Sequence, residues 1–114
     1  MNTREVGGLH EQQACDYLEN EGLKIIMKNY RKKIGEIDII AQDGEYLVFV
    51  EVKYRSYLNQ GGASYAIGPA KQMKIRRVAQ WFMTENHINR EALCRFDAVL
   101  IDGENIRHIK NAWR

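Results

Sequence analysis

The stretch GEIDIIAQDGEYLVFVEVKYR, residues 35–55, constrains the fold more than any other part of the chain. Two apolar runs flank Asp43-Gly44, and Asp-Gly between such runs is a strong hairpin signal. The second run, Tyr46 to Val52, is apolar at odd and even positions alike. That is the pattern of a strand buried on both faces in the middle of a sheet. Asp38, Glu51 and Lys53 nevertheless lie inside these runs or at their ends. A charge placed there is costly unless it is paired or bound to a metal.

An Asp43-Gly44 loop of two residues pairs Gln42 with Glu45. Glu36 then lies opposite Glu51, and Asp38 opposite Phe49. With side chains alternating between faces, Glu36, Asp38, Glu51 and Lys53 are predicted to project from one face. Asp38 and Glu51 become diagonal neighbours, with Cβ atoms roughly 7 Å apart. Two carboxylates at that distance repel by about 2 kcal/mol at an effective dielectric near 20. Lys53 relieves part of this, and a divalent cation would relieve more. An oxygen-only set suits Mg²⁺ or Mn²⁺. The competing reading is a structural ion-pair ladder at the open end of a hairpin. The apolar run leading into Glu51 favours the metal.

Elsewhere the pattern predicts a helix over residues 4–21, with Val6, Leu9, Ala14 and Leu18 inward and Gly22 ending it. A strand is expected over 23–31, then the hairpin strands at 35–42 and 45–54. Residues 56–68 carry three glycines and read as a long adaptable loop. Pro69 opens a second helix running to Glu85, with Met73, Val78, Ala79 and Phe82 inward. Lys71, Lys74, Arg76 and Arg77 point largely outward on the same reading. A strand at 95–101 and a last short one after Asp102-Gly103 complete an α-β-β-β-α-β-β order. The fold class is α/β or α+β, a mixed sheet with helices packed on it.

On the first helix, Glu11 shares a face with Ala14, Cys15 and Leu18. Either it points across the sheet edge toward the same metal, or it sits at the stripe's margin and reaches water. Spacing alone leaves both open. His10, His87 and His108 are scattered, and no Cys/His set has zinc spacing. Cys15 and Cys94 lie far apart among apolar neighbours, as buried free thiols in a reducing compartment would. The N-terminus carries no signal-peptide pattern, and no apolar run reaches the length of a membrane span. A cytoplasmic protein with no membrane partner is the expectation.

At 114 residues the chain is expected to form a single domain, 1–114. Its net charge of +2 proves nothing about partners. The basic clusters at 28–33, 53–55, 71–77 and 107–114 would bind phosphates if they shared a face. Otherwise they are solvated helix and strand surfaces. Lys71, Lys74 and Arg55 are the candidate phosphate contacts within them. Tyr57 and Tyr65 of the loop either stack on unpaired bases or pack the loop onto the body.

GEIDIIA, a short turn and LVFVEVKYR resemble the Asp…Glu-x-Lys core of the PD-(D/E)XK nuclease superfamily. GLHEQQACDYLENEG, NYR, GEIDIIA, VEVKYR, AKQMKIRRVAQWF and RFDAVLI also follow in the order of the YraN-like family of uncharacterised bacterial proteins. That family is regarded as related to archaeal Holliday-junction resolvases. The resemblance spans Gly7 to Ile101 and implies a restriction-endonuclease-like fold, a mixed sheet flanked by helices. It implies that Asp38 and Glu51 bind metal, that Lys53 is the catalytic lysine, and that Glu11 completes the acidic cluster. Lys71 matches a basic position plausible for phosphate contact. Ile37 stands where the superfamily name has proline, and Tyr54 where relatives commonly have threonine. The function implied is a Mg²⁺- or Mn²⁺-dependent endonuclease acting on nucleic acid, DNA and branched DNA first. A junction has two scissile strands, so a homodimer is a further expectation. The alternatives are a non-catalytic nucleic-acid-binding module of the same fold and a small protein-interaction domain.

Overall fold

A computed structural model describes residues 3–55 and 67–113. Helix α1 (Thr3–Asn20) is followed by β1 (Lys24–Lys32), β2 (Gly35–Asp43) and β3 (Tyr46–Arg55). Helix α2 (Pro69–Glu85), β4 (Cys94–Asp102) and β5 (Asn105–Ile109) complete the order. The five strands form one mixed sheet in sequence order, so β3 is the middle strand, as its doubly apolar pattern requires. β3 and β4 are parallel, with α2 in the crossover between them, and every other pair is antiparallel. No helix among the described residues is long and apolar enough to cross a membrane.

The two faces of the sheet carry separate cores. Ala14, Cys15 and Leu18 of α1 pack with Ile39, Val48, Val50 and Val99 on one face. Ile75, Val78, Ala79 and Phe82 of α2 pack with Ile37, Ile40, Leu47 and Phe49 on the other. Gly22, at φ 98°, ends α1 with the paired bonds of a Schellman turn: Leu23 N–H to Leu18 O and Gly22 N–H to Glu19 O, both 3.0 Å. Cys15 is buried and Cys94 half-buried, both as free thiols, and burial pushes both pKa values up.

Three expectations are corrected. Met73 is 57% exposed and Leu9 53% exposed, whereas Ile75 is buried in Met73's stead. Each misplaced residue is off the helical stripe: Ile75, Val78, Ala79 and Phe82 follow the 3.6 period, and Met73 lies on the far side of α2 from Ile75. The third correction is the hairpin register. Asp43 pairs with Tyr46 and Ile39 with Val50, a displacement of two residues, because the loop is Gly44-Glu45. Gly44 supplies the turn's left-handed φ of 59°. Asp43 stays in the strand with its carboxylate held 2.8 Å from Arg95 Nη2. The loop at 56–66, with Tyr57 and Tyr65, lies outside the described residues.

Candidate functional site

An even displacement of register moves no side chain to the other face, but it brings Asp38 level with Glu51 instead of Phe49. A second irregularity does change faces. Ile37 and Ile40 both enter the α2-side core, whereas Ile39 and Ala41 enter the α1-side core. The alternation of β2 therefore slips around Asp38. Across on β1, Lys28 pairs with Ile39 and Tyr30 with Ile37, so Asn29 is level with Asp38, and its φ is 55°. Asn tolerates that left-handed conformation better than most residues. The β2–β3 ladder ends at Ile39–Val50, and beyond it Val52 N–H is donated to Asp38 Oδ2 at 2.7 Å.

This kink gathers three acids. Carboxylate oxygens of Glu11, Glu36 and Asp38 lie within 4.8 Å of one another, each residue half-buried. Spacing left Glu11 two readings, and the place of its carboxylate beside Glu36 and Asp38 shows that it faces the cluster. Its carboxylate accepts a hydrogen bond from the Asn29 side chain. Burial raises the Glu11 pKa, and Glu36 adds to the rise against the Asn29 bond. Burial also pushes Asp38 up to about 7, reinforced by the charges of Glu51, Glu11 and Glu36 and opposed by the Val52 bond. Arg31 Nε lies 2.7 Å from Glu36 Oε2 at the rim.

Glu51 keeps the parity of Leu47 and Phe49, is only 8% exposed, and meets Lys71 Nζ of α2 at 2.5 Å. Lys71 is exposed, as the sequence had it, and at the same time sits on an acid of the site. Lys53, half-buried, follows on Glu51's side of β3. Lys74 lines a groove of about 350 Å³ with Gly35, Glu36, Ala70, Lys71 and Ile75. Arg55 closes β3, and its side chain lies outside the described residues.

The donor set is oxygen only, without Cys or His. Ligands held 2.0–2.1 Å from Mg²⁺ lie about 3–4 Å apart, so the Glu11, Glu36 and Asp38 oxygens need only a small adjustment to share one cation. The residues present therefore fit a hard divalent ion. One member of this arrangement escaped the sequence: Asn29 had no signal beyond its place in NYR. Glu36 was expected in the acid cluster but not among the named ligands Asp38, Glu51 and Glu11.

The model described as Uncharacterised protein family UPF0102 matches residues 10–101, a span that holds all of these side chains. The chain belongs to the UPF0102 family. The UPF0102 protein of Lachnoclostridium phytofermentans is 42% identical over 113 residues, covering 99% of this chain and 96% of its own. Those of Nitrosomonas eutropha (43% identical; 98% and 96% covered) and Shewanella woodyi (42%; 96% and 92%) are similar over comparable spans.

Proposed function

We propose that this UPF0102 protein is a metal-dependent endonuclease of the PD-(D/E)XK type, hydrolysing phosphodiester bonds in nucleic acid. The observation that carries the reading is the Glu11–Glu36–Asp38 cluster at a kink beside Glu51 and Lys53. A binding module has no use for converging acids, because they repel phosphate unless a cation intervenes. Resemblance to the resolvases makes DNA, and branched DNA, the first substrate to test.

Asp38, Glu11 and Glu36 would hold Mg²⁺ or Mn²⁺, with Glu51 joining once Lys71 releases it. Such an ion polarises the phosphate and lowers the pKa of bound water. Asp38 needs its proton off to serve, and its displaced pKa makes cation and proton compete near neutrality. Lys53, two residues beyond Glu51 on the same side of β3, would stabilise negative charge gathering on phosphorus. Lys71 is positioned to exchange Glu51 for a phosphate oxygen.

One observation favours the non-catalytic module: the Lys71 ammonium already neutralises Glu51 without a metal. The experiment that separates the readings titrates Mg²⁺ and Mn²⁺ against labelled duplex, single-stranded and four-way-junction DNA. Cleavage with Mn²⁺ that is lost in Asp38→Ala and Lys53→Ala is the expected result. Metal-independent binding without cleavage would leave the module. Absence of both, on every substrate, overturns the two together. Sedimentation of the junction complex tests the proposed homodimer.

A further inference from the structure

One outer stripe of α2 is unlike the rest of the surface. Lys74, Arg77 and Trp81 recur at helical spacing, and α2 carries no acid before Glu85. They border two adjoining grooves along the β1–β2 connection. The first, described above, holds Glu36 of the acid cluster and Lys74. The second, about 540 Å³, is lined by Ile34, Arg77, Gln80, Trp81 and Thr84. Neighbouring residues Ile34 and Gly35 join the two into one trough. Trp81 is 52% exposed at its far end, with Lys32 Nζ 5.4 Å from the centroid of its ring. Lys71 is held by Glu51, so the charges the trough offers a ligand begin at Lys74.

We propose that this trough seats an unpaired nucleic-acid strand leading away from the acid cluster, with phosphates on Lys74 and Arg77 and a base stacked on Trp81. The inference rests on the nuclease reading and deepens it, because it makes the substrate one with a single-stranded segment beside the scissile bond. A positive groove ending in an exposed aromatic face is the recurring design of single-strand binders: every base has a π-face, and the backbone is tracked by charge. From Lys74 to Trp81 the helix rises about 10 Å. A second copy of this chain is the poorer occupant, since it would set Lys74 and Arg77 against their own like charges.

The two tryptophans make the test direct. Trp113 is buried, stacked 4.3 Å from Phe96, while Trp81 is open to solvent. Oligo(dT) added in EDTA, at low salt, should quench the intrinsic emission of the wild type, and Trp81→Phe should abolish the change. Trp81→Ala should weaken binding, read by anisotropy of the labelled oligonucleotide, roughly 5- to 150-fold. Lys74→Gln with Arg77→Gln should flatten the slope of log affinity against log salt by about 1.4. Unchanged urea midpoints show that these surface variants fold. Oligonucleotide binding with unaltered tryptophan emission and unaltered affinity in Trp81→Ala would overturn the trough while leaving the nuclease reading intact. No binding of any nucleic acid, with or without Mn²⁺, would overturn both. Emission that changes with protein concentration alone, and no longer does in Trp81→Ala, would replace the strand by a second copy of the chain.

Discussion

Asp38 holds together backbone and chemistry that pull in opposite directions. Its Oδ2 takes the Val52 N–H where the β2–β3 ladder ends, which ties the carboxyl to the strand. Burial first, then the Glu51 charge, raises its pKa from an ordinary 3.8 to about 7. A carboxyl with a raised folded-state pKa contributes its stability in full below the unfolded value and loses it as pH rises through the folded one. In metal-free protein, ionising Asp38 therefore costs stability progressively between about pH 4 and pH 7, by about 4 kcal/mol at completion. Asp38→Asn keeps an oxygen for Val52 and removes the charge. Urea unfolding in EDTA should find the variant more stable than wild type by about 4 kcal/mol at pH 8 and under about 2 at pH 5, with the gap closing near pH 4. Added Mn²⁺ at pH 8 should raise the wild-type midpoint and leave that of Asp38→Asn unmoved. A pH-independent gap would show that the acids do not share their charge as the geometry requires.

At the scale of the element, α2 separates hydrophobic identity from hydrophobic position. Ile75 is 5% exposed and belongs to the core over Phe49, whereas Met73 stands in solvent. Ile75→Ala should cost about 2–4 kcal/mol in urea unfolding and Met73→Ala under about 0.5. Equal losses would mean that the helix is rotated about its axis. The same distinction decides what was legible in the chain. Helix and strand identities follow from period and punctuation, and β3's central place from its doubly apolar run. Asp38, Glu51 and Lys53 could be read because a charge inside such a run demands a partner. The hairpin register could not, since Asp43 is kept in the strand by Arg95, far along the chain. Glu36 was placed with Asp38 by alternation, but Asn29 joins the acids only because its strand takes a left-handed turn at the level of Asp38, and local pattern carries no trace of that.

Across the whole molecule, a second set of buried charges ties the elements together, well apart from the acid cluster in the chain. Asp97 is fully buried on β4 and receives Arg95 at 2.9 Å through two nitrogens, His108 Nε2 at 2.6 Å and Asn111 N–H at 2.9 Å. His108 Nδ1 reaches Glu21 at the end of α1, 2.7 Å away, and Arg95 reaches Asp43 at the hairpin turn. Removing Asp97 takes the buried acid from both Arg95 and His108 and leaves each a partly exposed one, Asp43 or Glu21, so Asp97→Ala should cost about 3–5 kcal/mol. Burial works against charge on both His108 and Asp97, but hydrogen bonds outweigh it: His108 is raised by Asp97 and Glu21, and Asp97 is lowered by His108 and Arg95. The signs then define a window. His108 contributes fully below its ordinary 6.5 and loses its contribution as pH rises through its raised folded value. Asp97 contributes above its ordinary 3.8 and loses its part as pH falls through its lowered folded value. Metal-free protein should thus weaken in two stages, from about pH 4 to pH 7 through Asp38 and above about pH 6.5 through His108. Asp38→Asn removes the first, so whatever alkaline decline it retains belongs to His108. Adding His108→Gln should lower the stability at pH 6 and flatten the profile of the double variant between pH 6 and 9. A double variant that still declines over that range as steeply as Asp38→Asn alone would show that the network holds its charge without the imidazolium.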